Sequence, residues 1–280
     1  MKPSAPSSLF FVRCTRRQRA GLTLMELVVV MVILIALAGI LLPLFPSMLT
    51  RAHTSSTATN AAEVSKAVQL YYNLYTGYPN NLDNLTTGAG AIASYLAAGQ
   101  STDLLAYTLT AADLAALNNA GITNVLPVIE NPATAGSVWS PTFDPYSALP
   151  MTSTLLASSS TTIATGTTVV GVTQAAVTRE LGMIANSANQ TTNPGTYVLF
   201  GLGDFSSMAG KTLEEAPVHF DDSSTGQPNL IYGRFGLVFQ TQDGSGTAMV
   251  AAKFIGTVDL ADADGITTAS DHIQTYYQLK

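Results

Sequence analysis

The chain has 280 residues, of which 47% are hydrophobic and only 11% charged, with 12 Lys and Arg against 18 Asp and Glu. A net charge of −6 and the absence of any basic, aromatic-interleaved face argue against phosphate and nucleic-acid binding. The single cysteine, Cys14, excludes an internal disulfide, so the fold must be held by packing or by a metal.

Lys2, Arg13, Arg16, Arg17 and Arg19 precede Gly21, whereas every acid follows it. The body beyond Gly21 therefore keeps 7 basic residues against 18 acidic ones. Leu27 to Leu42 is a run of apolar or small residues, and the uncharged stretch continues through Thr50, about the 20 residues that a spanning helix needs. Basic residues ahead of such a run predict a single-pass inner-membrane protein with a cytoplasmic N-terminus and a periplasmic or extracellular head. One acid, Glu26, stands at the mouth of this run. An ionised group there is costly and needs an opposite charge within about 4–6 Å.

Gly21, then Leu22-Thr23-Leu24-Met25-Glu26, then the apolar run, resembles the prepilin signal of type IV pilins and type II secretion pseudopilins. The resemblance implies cleavage after Gly21 by a prepilin peptidase that is also an N-methyltransferase, with Leu22 as the methylated new N-terminus. The family usually carries Phe where this chain has Leu22. Glu26 would pair with the amine of a neighbouring subunit and set its register during assembly. Implied partners are further copies in a homopolymer, other pseudopilins, an inner-membrane assembly platform and membrane lipid.

Pro43 lacks a backbone donor and is expected to kink the helix, with Pro46 reinforcing it. Beyond it, Ala58, Ala61, Ala62, Val64, Ala67, Val68, Tyr71, Tyr72 and Tyr75 recur at three- and four-residue steps, which is one apolar helical face. Gly77 is the expected C-cap, with Pro79 beyond it. A helix from Leu22 to Thr76 would run roughly 80 Å at 1.5 Å per residue. The Tyr-rich turn followed by Gly77-Tyr78-Pro79 and by Leu82 and Leu85 is similar to the end of the long helix in major pseudopilins.

The expected organisation is a leader over 1–21, a transmembrane and filament-core helix over 22–50, and a head over 51–280 that includes the second half of the long helix, 51–76. From Gly88 to Gly195 the Ala/Ser/Thr-rich sequence reads as an enlarged insertion on one face of the head. Within it, short helices are expected at Ala91–Ala98 and Thr110–Asn118, and a β-prone run at Thr161–Thr173. Thr196–Phe200, Leu230–Gln240 and Met249–Val258 read as strands, with a hairpin turn at Gln242–Gly246. The tail Ile266–Leu279 is a final helix capped by Asp264 or a terminal strand. The expected fold class is thus α+β, a long N-terminal helix packed against a C-terminal antiparallel sheet.

No catalytic pattern surrounds His53, His219 or His272, so no enzyme activity is expected. Asp221, Asp222, Asp259, Asp262 and Asp264 supply the oxygen density that calcium favours, although no EF-hand results. Major pseudopilins are known for a calcium site in the C-terminal loop, which makes these acids candidate ligands. The function implied is that of a structural subunit of a pseudopilus or pilus-like filament in a type II secretion-type system. Two alternatives are a minor tip subunit or adhesin with a binding head, and an unprocessed, signal-anchored binding protein.

Overall fold

The computed structural model describes residues 24–42, 45–86, 90–93, 96, 102–127, 160–182, 195–219, 232–244, 246–260 and 265–278. They fall into two compact units, residues 1–47 and 48–280.

In the first unit, α1 (Leu24–Leu41) carries Glu26 in its first turn. α2 (Phe45–Tyr75) follows as a separate helix and from Met48 onward belongs to the second unit. The continuous helix from Leu22 to Thr76 is therefore replaced by two, and this corrects the membrane reading as well. A span from Leu27 to Thr50 required one helix, but α1 stops at Leu41 and α2 starts at Phe45. The 18 residues of α1 reach only about 27 Å at 1.5 Å per residue, short of a hydrocarbon core of about 30 Å. The 31 residues of α2 include Arg51, His53, Glu63 and Lys66. Among the described residues no helix is long and apolar enough to cross a membrane. The transmembrane segment and the single-pass inner-membrane location inferred from the sequence are overturned on that ground. Pro43, the expected kink, lies outside the described residues.

The second unit is built on an eight-stranded sheet: β1 (Leu82–Asn84), β2 (Leu104–Thr108), β3 (Asn124–Pro127), β4 (Thr161–Thr162), β5 (Thr168–Val172), β6 (Thr196–Gly201), β7 (Gly236–Gln242) and β8 (Ala248–Val258). The main path runs β2-β5-β6-β1-β3-β4, and β7 joins β6 to β8. Because β7 takes one whole edge of β6, β5 and β1 divide the other edge between them, β5 at Tyr197–Leu199 and β1 at Gly201. The sheet is mixed rather than antiparallel, since β1 and β3 run parallel. The stretch read as an insertion supplies β2 to β5, so its described part is integral to the sheet.

Alternation along β6 and β7 separates two cores, as a period of two demands. Val198, Phe200, Leu237 and Phe239 face one cluster with Ala61, Val64, Ala67, Val68 and Tyr71 of α2. Leu199 and Val238 face another with Val170, Val172, Val177 and Ile266. The first face is also covered by α3 (Ala111–Asn119), whose Leu117 and Ala116 are fully buried. On the second lies α4 (Gln174–Leu181). A last helix, α5 (Ala269–Gln278), has no buried residue.

Helix ends follow local chemistry. Thr110 and Asp113 form a reciprocal capping box on α3. The start of α5 is capped by Asp271, whose Oδ2 accepts from the Thr268 N–H at 2.8 Å and its hydroxyl at 2.6 Å, while Asp264 lies outside the described residues. At the end of α2 the left-handed residue is Thr76, φ +56°, not Gly77, and the Thr76 N–H donates to the Tyr72 carbonyl at 2.8 Å. Of the expected apolar face, Tyr72 and Tyr75 are exposed. They stack instead, Tyr72 on Tyr78 at 4.6 Å and Tyr75 on Tyr71 at 4.5 Å. The Ala91–Ala98 segment shows no helix among its described residues.

Candidate functional site

α1 has no polar stripe. Its large hydrophobic side chains run from Leu24, 82% exposed, through Ile35, 67%, and every described side chain of the helix is exposed. A helix apolar all round belongs to a buried environment. Glu26 sits where the positive end of the helix dipole favours a carboxylate, by about 0.3–1 kcal/mol. Gly21 and Leu22, which frame the expected cleavage, lie outside the described residues.

The head holds polar clusters that its sequence does not announce. His219 and His272, read as isolated, meet at Asp259: their Nε2 atoms lie 3.1 and 3.2 Å from its Oδ2. Asp259 is 1% exposed, and the two rings are 5.5 Å apart. The His219 Nδ1 contacts the Thr57 hydroxyl on α2, which itself donates to the His53 carbonyl at 3.0 Å. Long-range pairing makes this junction, because backbone bonds between Asp259 and Thr267 bring the start of α5 to the end of β8. No local spacing could have revealed it.

Asp259 was an expected calcium ligand. Two imidazole nitrogens against its Oδ2 suit it poorly to calcium, which takes oxygen donors. Asp221, Asp222, Asp262 and Asp264 lie outside the described residues, and among those described no group of three or more His, Cys, Asp or Glu residues is arranged to hold a metal ion.

A second cluster is buried where β1 meets β6. Asp83, fully buried, accepts from the Tyr232 hydroxyl at 2.8 Å. Burial pushes its carboxyl up to about 6, against the hydrogen bond from Tyr232 and the charge of Arg234. Arg234 pairs with both oxygens of Asp204. Gly203 is required beside it, for a Cβ there would stand 2.5 Å from the Asp83 carboxylate.

A third lies between α4 and α5. Burial raises Glu180 to about 7, helped by a hydrogen bond with Asp271 and opposed by Arg179. Arg179 also bonds Asp103 at 2.6 Å.

Compared with protein-family models, with curated proteins and with solved structures, the chain shows no significant match.

Proposed function

We propose that the protein is a structural subunit of a pilus-like or pseudopilus filament serving a type II secretion-type system, and that it performs no catalysis of its own. The observation that supports this most is α1, an 18-residue helix with apolar side chains exposed all round, which calls for cover by equivalent helices. A prepilin peptidase would cut after Gly21 and methylate Leu22, and the freed amine of an incoming copy would pair with Glu26 of one already assembled. Copies of the chain, other pseudopilins and an assembly platform are the partners of this reading.

Two variants test it. Gly21→Val should leave an uncut precursor of 29.2 kDa, and N-terminal sequencing of the wild-type chain should begin at Leu22. Glu26→Gln should be cut normally yet fail to enter filaments. Normal filament yield from Glu26→Gln, or a wild-type chain still beginning at Met1, would overturn the proposal.

A further inference from the structure

Within the second unit, α2 and α5 leave a groove of about 530 Å³ between them. Its floor is one stripe of α2, where Ser55, Ala58, Thr59, Ala62, Glu63 and Lys66 follow each other at steps of three and one, the spacing of a single helical face. Its wall is Ile273, Tyr276 and Tyr277 of α5, large side chains about one turn apart that stand exposed at the surface. Packing within the head does not account for this apolar wall, since α5 has no buried residue. From Ser55 to Lys66 the floor runs about 16 Å at 1.5 Å per residue, so the groove is a trough roughly three helical turns long.

Shape and charge both select the occupant. A trough laid along a helix accepts a rod, as in other helix-in-groove contacts. The floor from Ser55 to Ala62 carries no charge, and Glu63 and Lys66 at its far end have opposite signs, so neither an acidic nor a basic helix is favoured. A charged side chain laid over Ala58, Ala62 and Ile273 would instead lose its water without gaining a partner. The helix that fits is uncharged along its length and in need of cover. α1 is such a helix: beyond Glu26 in its first turn, Leu27 to Leu41 holds no ionisable side chain, and its described side chains are exposed. Ser55, Ala58 and Ala62 are small enough to let its axis come close, while the α5 wall covers its flank.

α1 and the groove are different surfaces of one chain. A contact between them from copy to copy is heterologous, because each copy offers its groove to one neighbour and its α1 to another. Such contacts generate open filaments unless the rotation closes a ring. Resting on the filament reading above, we propose that the α2–α5 groove is the head's receptor for α1 of a second copy. The cover of α1 then comes partly from a neighbour's head, and α5 fixes the side of α2 along which that helix lies.

Photo-cross-linking of the full chain reads this out. p-Benzoylphenylalanine replaces Tyr276 in the groove wall, and this chain is mixed with ¹⁵N-labelled wild type, allowed to associate without detergent and irradiated. Mass spectrometry should find peptides that join position 276 of one copy to the Leu24–Leu41 helix of the ¹⁵N copy. A charge in the floor gives a second measurement. Thr59 is exposed, so Thr59→Asp leaves the head folded while setting a carboxylate against the neighbour's α1, and association of the full chain should weaken by about tenfold or more in sedimentation. Val250→Asp puts the same charge on an apolar β8 residue that is 87% exposed and outside the groove, and it should associate within about twofold of wild type. Cross-links confined to one isotope, which place α1 in its own chain's groove, would overturn the proposal and leave the filament reading standing. So would cross-links only to peptides outside α1, or undiminished association of Thr59→Asp. A wild-type chain that does not associate at all removes both.

Discussion

Thr76 pays a local penalty to end α2. A β-branched residue at φ +56° is uncommon, because Cβ crowds the backbone by roughly 1–2 kcal/mol in the left-handed region. The neighbouring Gly77, which has no such steric cost, does not take that conformation. Thr76→Gly should therefore raise stability by about 1 kcal/mol despite a looser unfolded chain, visible as a higher urea midpoint at unchanged slope. Asp83 makes a different residue-scale prediction. Its folded value of about 6 lies above the ordinary 3.8, so its contribution favours folding below about pH 4 and fades as the pH rises through 6. Asp83→Asn keeps an acceptor for the Tyr232 hydroxyl and removes the buried charge. The variant should gain on wild type by roughly 1 kcal/mol as the pH goes from 5 to 8, measured by urea unfolding at each pH. A constant difference across that range would show that Arg234 already neutralises the carboxylate.

At the scale of elements, β4 to β8 and α3 were readable because their signals are local, whereas the short strands β1, β2 and β3 were not read from the sequence. Thr110 with Asp113 is a capping box in sequence and in space, and the Asp243–Gly246 turn closes the β7–β8 hairpin. The period-three-and-four face of α2 also predicted Ala61, Val64, Ala67, Val68 and Tyr71 as core. Tyr72 and Tyr75 escaped the pattern because an aromatic ring at the end of a helix can bury area against another ring or a lysine, as Tyr75 does under Lys211 at 4.8 Å. Composition misled over 88–195: few charges and many Thr suggested an appendage, whereas Val169, Val170 and Val172 place β5 between β2 and β6. The parallel pairing of β1 with β3 and the meeting of His219 with Asp259 rest on contacts far apart in the chain, to which periodicity is blind. Phe239, fully buried against Tyr78, Phe200 and Phe254, is the element-scale anchor. Phe239→Ala should cost about 3–5 kcal/mol, measured by thermal or urea unfolding of the head.

For the molecule as a whole, the two units make separate demands. Residues 48–280 carry two hydrophobic clusters and the complete sheet, whereas residues 1–47 contain a helix with no described side chain buried. A chain beginning at Met48 should therefore fold cooperatively and sediment as a monomer. The full chain should associate through α1 unless detergent covers it, and analytical ultracentrifugation with and without detergent distinguishes the two. Association of the truncated chain at the same concentration would shift the assembly surface to the head.

The uniform surface of α1 also limits what α1 can encode. A cylinder that is apolar on every side offers neighbouring cylinders many rotations of similar energy, and ridges and grooves alone separate them weakly. In the filament proposed above, Glu26, the acid in the first turn of α1, would fix how far a copy slides along its neighbour, but a single point would leave its rotation about the axis open. Azimuth would then have to be set by the heads, so filaments built on such helices should tolerate changes of α1 side chains within the apolar class while changing their helical twist when head surfaces are altered.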